Sequence, residues 1–347
     1  MSRRSYRVEI NYPKKGKPRY FLVRDVRIGN RRTKVSKYLK SGDPPTQQEV
    51  EQYRTLYAYD LELRAAEKCG EFSLDEFTLR FLDDEIVRTL EIIRYLHQRF
   101  TELLTVNEFE HYERDFEVYY VQGTTAIEGN TFTVDEARAL LVHGIAPQTR
   151  SMREINEIQN FSAVRRYREK YRGRVTIEFI EQLHALIMNH IDHESAGSFR
   201  RTDGSGITGC DLLLSPSSEI PTELQKIIDY YYRHLDGGYH PFEEAVMFHY
   251  FFETIHPFAD GNGRVGREIL NFMLKKSRYP KLLFLGQERD LYIQALLSGN
   301  REEYTPMVDV FAQLVMKQRL AILLEKMKEM VVAKKKNQRE LTDFFET

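Results

Sequence analysis

The chain has 347 residues, 41% of them hydrophobic, with a net charge of −1 and two cysteines. That is enough apolar content for two or three packed units. It excludes a disulfide-stapled scaffold, because Cys69 and Cys210 stand far apart, and a reducing, cytoplasmic setting is expected. No run of about eighteen apolar residues occurs and no apolar stretch follows Met1, so neither a membrane span nor a secretory leader is expected.

The charge is unevenly spread. Residues 1–45 carry fourteen Lys or Arg against Glu9, Asp25 and Asp43, a surplus of +11 that leaves −12 for the remainder. The same segment alternates as strands do, over Tyr6–Tyr12, Tyr20–Ile28 and Thr33–Leu39, with turns at 13–18 and at Gly29-Asn30. A small N-terminal antiparallel β unit over 1–45 is expected. Its basic surface has two readings. One is a grip on nucleic acid or an acidic target, which is not favoured because no base-reading motif accompanies it. The other is a solvated sheet lying against acidic protein, of this chain or of a second copy.

Beyond Pro45 the apolar periodicity is helical. Helices are expected at about 46–68, 74–105 (capped by Ser73), 108–122, 134–143 (behind a Thr133–Glu136 capping box), 152–171, 177–191, 221–235, 243–255, 264–276, 288–297 and 305–333. The fold class is therefore mainly α, with the β unit at its start. Gly204, Gly206 and Gly209 have the spacing of a dinucleotide loop, but no strand precedes them and no helix follows. A β-hairpin within 197–221 fits better. The tail after 333 is charged and expected to fray.

Residues 256–267 read HPFADGNGRVGR and bring a histidine, a carboxylate, a Gly-Asn-Gly turn and two arginines together. Pro257 stops the preceding helix at about His256 and leaves its imidazole at a helix-to-loop junction, neutral enough near pH 7 to take a proton from a hydroxyl. Asp260-Gly261-Asn262-Gly263 reads as a tight turn feeding a helix N-terminus, which makes an anion site. Arg264 and Arg267 share one helix face and suit a polyphosphate. Asp260 is a candidate Mg²⁺ ligand, since that ion needs few protein groups when phosphates supply the rest. A calcium loop is excluded: Val265 stands where its glycine would be, and Asn271 where its glutamate would be.

This stretch resembles the Fic family motif, H-x-F-x-[DE]-G-N-G-R-x-x-R, at all eight fixed positions: His256, Phe258, Asp260, Gly261, Asn262, Gly263, Arg264 and Arg267. The resemblance implies a helical core with a β-hairpin flap over 176–315 that transfers AMP from ATP to a Tyr, Thr or Ser hydroxyl of a target protein. It implies His256 as general base and Asp260 as ligand of the Mg²⁺, or Mn²⁺ in its place, that bridges the phosphates. Asn262 and the amides around Gly261 and Gly263 would hold the phosphates, with Arg264 and Arg267 on the outer ones. Tyr292 and Asn300 resemble the family's adenine-side segment. Thr208, Leu212, Leu213 and Leu214 would lie on the flap, where a target docks by strand addition.

Residues 124–129, TTAIEG, fit the family's [S/T]-x-x-x-E-[G/N] pattern as Thr124, Glu128 and Gly129. The resemblance implies that Glu128 pairs with Arg267 and adds negative charge where the outer phosphate must sit, a brake on transfer. On this reading 46–122 is a helical packing region, 123–175 holds the inhibitory helix and those after it, and 316–347 is a C-terminal helix with a charged tail. Three rivals stay open: AMP removal, or transfer of UMP, phosphate or phosphocholine, by the same site; a nucleotide-sensing regulator that binds nucleic acid through its N-terminal unit; and an interaction protein with an inactive site. A homo-oligomer also stays open.

Overall fold

The strands expected near the N-terminus form: β1 (Arg7–Asn11), β2 (Arg19–Ile28) and β3 (Arg31–Ser41) pair antiparallel in the order β1-β2-β3. The computed structural model that carries them describes residues 6–28, 31–203 and 214–332. Alternation along the strands decides the faces. Tyr20, Leu22 and Val26 of β2 and Val35 of β3 are buried, on the side where α1 (Gln47–Glu76) packs. A buried carboxylate fixes that contact. Glu62 of α1 accepts from Tyr6 Oη at 2.6 Å and Tyr95 Oη at 2.7 Å, and pairs with Arg24 and Arg99, each at 3.1 Å. The Thr46–Glu49 capping box starts α1, and α2 (Asp84–Leu103) packs along it. Among the described residues, one compact unit takes in 6–77, 83–109 and 315–332.

The second unit takes in 78–82 and 110–314, the 204–213 segment aside. Its elements are α3 (Val106–Ile127, from Glu110 on), α4 (Val134–His143), α5 (Met152–Gln159), α6 (Phe161–Lys170), α7 (Ile177–Ile187), α8 (Ile220–Asp236), α9 (Pro241–Ile255), α10 (Asn262–Lys276), α11 (Arg289–Asn300) and the first turns of α12 (Tyr304–Val332). The helices α9 and α10 are buried on nearly every side, as central helices are, and α7 and α8 flank them. Among the described residues the fold is mainly α with one small antiparallel sheet. No described helix is long and apolar enough to cross a membrane.

Three of the differences from the sequence reading have a tertiary reason. First, α1 runs through Ser73, whose hydroxyl donates to Cys69 O and to Glu91 instead of capping a helix. The break falls at 77–83, where the N–H groups of Arg80, Phe81 and Leu82 donate to the buried Glu243 carboxylate at 3.0, 3.1 and 2.8 Å, and Asp83 caps α2. Second, the helix expected over 152–171 is interrupted at Asn160, whose side-chain amide donates to Ile187 O and Asn189 O. Third, α3 extends to Ile127 and carries the start of TTAIEG on its last turn. Thr208, Leu212 and Leu213 of the expected flap, the Gly29-Asn30 turn and the charged tail lie outside the described residues; Leu214 is half-buried.

Candidate active site

Helix α9 ends at Ile255, and His256 is its C-cap in the left-handed region, at φ 50° and ψ 61°. A proline after it denies it the α region, and a non-glycine residue in this conformation must be held by its surroundings. Arg200 does the holding. Its Nε donates to His256 O at 2.8 Å, a terminal nitrogen donates to Ile255 O at 3.2 Å, and its backbone N–H donates to Pro257 O at 2.9 Å. The same guanidinium donates to Thr202 O and Ser215 O, on either side of 204–213. The last carbonyl of α9 and the two that follow it are thereby satisfied. Burial pushes the His256 imidazolium below its ordinary value; the Glu253 backbone and nearby carboxylates pull the other way but do not prevail. The ring is therefore neutral at pH 7 and can accept a proton.

The turn that follows is braced from inside. Asn262 accepts from Phe258 N–H at 2.9 Å and donates to Phe258 O at 2.8 Å, so its amide closes the loop. Gly261 caps α10 at φ 82°, a conformation that favours glycine, and no side chain caps the helix. The first N–H groups of α10 therefore remain open to an anion. His184 of α7 supports the loop from below. Its Nδ1 accepts from Gly197 N–H at 2.9 Å, which leaves Nε2–H to donate to Asp260 O at 3.0 Å. Its ring stacks on Phe258 at 3.7 Å. Burial pushes its pKa down to about 4, so this tautomer persists through neutral pH.

Arg267 is 1% exposed. It donates to Thr124 Oγ1 at 2.7 Å, Thr124 O at 2.9 Å and Glu128 Oε1 at 2.6 Å, with its guanidinium over the Tyr292 ring at 5.5 Å. Burial alone would lower its pKa, but Glu128 and its other partners raise it well above the ordinary value. The Glu128 carboxylate also stands over the turn: a Cβ added at Gly263 would lie 2.4 Å from Glu128 Oε1. The Glu128 carboxylate thus lies against Gly263 in the first turn of α10, and only glycine there leaves room for it. The structure brings Glu128 and Thr124 to Arg267 of the loop-and-helix segment, and Gly129 turns the chain away at φ 98°.

Asp260 accepts from Arg264 at 3.0 Å and from Arg153 of α5 at 2.6 Å. Burial raises its pKa, but Arg264, Arg153 and the Gly261 amide outweigh that and keep it ionised. Arg264 is 2% exposed and also reaches Glu157 at 3.3 Å. Beneath Arg267 lies a second layer: His249 Nε2 and Tyr292 Oη are 3.0 Å apart, and Glu253 Oε1 would meet a Cβ at Gly266 at 2.3 Å. Burial raises the Glu253 carboxyl to about 8 and lowers His249 to about 3, so both are neutral at pH 7. Tyr292 is buried behind Arg267, and exposed Asn300 accepts from Tyr250 Oη at 3.2 Å. Among the described residues no hydrogen bond joins Asn300 to 256–267. The sequence reading missed Arg153, Glu157, His184, Arg200 and Glu253. Each acts through a contact between elements, and no spacing marks it.

Residues 174–274 match the Fic/DOC family. They are a Fic domain. The curated relatives are called protein adenylyltransferases: fic-1 of Caenorhabditis elegans is 28% identical over 231 residues, 65% of this chain and 45% of that protein. Fic of Drosophila erecta is 30% identical over 203 residues, 56% of this chain and 39% of that protein. The chain spans less than half the length of these relatives. Among solved structures, Fic-1 of C. elegans superimposes with a TM-score of 0.61 at 24% identity, covering 81% of this chain and 86% of that one. A Fic domain containing signaling protein from Bacteroides thetaiotaomicron gives 0.60 at 21% identity, covering 70% and 99%. These two share the fold. The Fic domain encloses the whole 256–267 loop, whereas Thr124 and Glu128 lie before it, on α3 and just after its end.

Proposed function

We propose that this protein is an adenylyltransferase that moves AMP from ATP to a hydroxyl of a target protein, and that Glu128 holds it in check. The observation that carries this reading is the Glu128–Arg267 pair at 2.6 Å over the head of α10. A carboxylate that fills an anion site and neutralises its arginine takes the place where the outer phosphate of a nucleotide belongs. The names of the curated relatives favour AMP as the group transferred.

The target hydroxyl attacks the α-phosphorus as the neutral His256 takes its proton. The new O–P bond forms as the bond to the β-phosphate breaks, and pyrophosphate leaves. The amides of 262–264 and Arg264 face the charge that develops, and Arg267 grips the outer phosphate once Glu128 withdraws. Asp260 fits a Mg²⁺ site: it is ionised, 43% exposed at its side chain, and held by cations that an incoming ion can replace. Among the described residues no cluster of three metal-ligating side chains occurs, and phosphate oxygens and waters would complete the shell, as Mg²⁺ accepts. When bound, the ion neutralises phosphate charge. A target segment would dock on the flap that includes Leu214. The buried free thiol of Cys69, raised by burial to about 12, suits a reducing cytoplasm. AMP removal is the second reading, favoured by the Glu128 carboxylate standing where it could orient a water.

His256→Ala should abolish transfer and leave ATP binding intact, since the imidazole serves the hydroxyl and not the nucleotide. Calorimetric titration with ATP and Mg²⁺ checks this. Lost ATP affinity, or unchanged transfer, would sink the role. The mass gained by the modified protein separates AMP from UMP, phosphate or phosphocholine.

A further inference from the structure

The N-terminal sheet has one face packed by α1 and a second face that the Fic site leaves unexplained. By register, that outer face carries Arg7, Glu9 and Asn11 of β1, Arg19, Phe21, Val23, Asp25 and Arg27 of β2, and Arg32, Lys34, Ser36 and Tyr38 of β3, with Val23 buried beneath the charged side chains at 1% exposure. Phe21 and Tyr38 are directly opposite and meet edge to face at 5.6 Å. Tyr38 is 48% exposed, and Tyr12, at the start of the β1–β2 loop, is 73% exposed. The loop itself carries Lys14, Lys15 and Lys17, all exposed.

The two acids of the face are already committed. Glu9 pairs with Arg7 and Lys34, and Asp25 pairs with Arg7. Arg19, Arg32, Lys14, Lys15 and Lys17 have no ion pair among the described residues. Exposed aromatics set among unpaired cations are what a nucleic-acid strand needs: cations for the phosphates, rings on which unpaired bases stack. An acidic protein would meet the charge, but rings interspersed with cations match the alternation of unpaired bases and phosphates along a strand more closely. A duplex keeps its bases stacked on one another and has none either.

We propose that this face, with the β1–β2 loop, binds single-stranded nucleic acid. Tyr38 stacks bases; Arg19 and the loop lysines track the backbone. Stacking and phosphate contact do not depend on base identity, so binding follows strand character and salt more than sequence. The surface belongs to the N-terminal unit and does not depend on the Fic site being active.

The test is fluorescence anisotropy of the full chain with short labelled oligo(dT), oligo(rU) and a DNA duplex at rising salt. Binding of either single strand, weakening linearly in log–log with salt, is expected. Tyr38→Ala should weaken single-strand binding about ten-fold and duplex binding little, and Tyr38→Phe should restore it. Replacing Lys14, Lys15 and Lys17 by Gln should flatten the salt slope by roughly two. The DNA and RNA arms show which sugar is preferred, and preference for either supports the proposal. No salt-dependent binding, or single-strand and duplex binding equal and indifferent to Tyr38→Ala, would overturn it.

Discussion

Two parts of this chain are dense in arginine and treat it in opposite ways. In the Fic domain, Arg264 and Arg267 are 2% and 1% exposed, and each is fixed by named acceptors. In the N-terminal sheet, Arg7 and Lys34 pair with Glu9 while their side chains stay 48% and 56% exposed. Burial is what separates them. A guanidinium taken out of water must be matched by carboxylates and carbonyls, and those matches give it one position. A cation left in water keeps its charge but has no fixed place, which suits a surface that meets a flexible polyanion.

The sharpest way to break that comparison is to remove a buried cation. Arg168 joins Glu117 and Glu268, each at 2.8 Å, and all three are nearly or wholly buried. Arg168→Met should cost about 3–5 kcal/mol in urea unfolding, because two carboxylates lose their partner. A cost below about 1 kcal/mol would show that burial does not set the scale here.

Next in size is a pH effect from Glu253. Its folded-state pKa, raised to about 8, lies above the ordinary carboxyl value. The neutral form therefore favours folding fully below the unfolded value, and that contribution is lost as pH rises through about 8. His184 and His249, pushed down by burial to about 4 and about 3, act in the opposite sense and only below about pH 6.5. Between about pH 6.5 and 8.5 the native protein should lose stability, and Glu253→Gln should not. Parallel curves would place the carboxyl's titration elsewhere. The smallest effect belongs to the sheet: Lys34→Ala should change stability by less than about 1 kcal/mol. A larger loss would mean that the sheet's ion pairs are structural.

How much of this was legible follows the same division. The helices from α7 onward, α4 and the three strands could be read from periodicity, because burial there is local and repeats along the chain, whereas α5 and α6 read as one helix. The 256–267 loop could be read because its chemistry is contiguous. What could not be read is reach. Nothing in the sequence aims Glu243 at the N–H groups of 80–82, Arg200 at the carbonyls of 255 and 256, or His184 at Asp260 O. The break at 77–83, the left-handed His256 and the bracing of the turn all depend on such contacts. Asn262 is a related case. Its place in the motif suggests a phosphate ligand; its side-chain amide bonds Phe258 twice and shapes the turn, which leaves its backbone N–H to face an anion.

The central claim is that Glu128 occupies the phosphate position and thereby restrains an otherwise complete site. Intact-mass spectrometry of Glu128→Gly incubated with ATP and Mg²⁺, beside the wild type and a Glu128→Gly/His256→Ala double variant, tests it directly. The account predicts a gain of one AMP unit in the single variant alone. Equal labelling of wild type and Glu128→Gly would contradict the restraint, and equal labelling of the single and double variants would contradict the base.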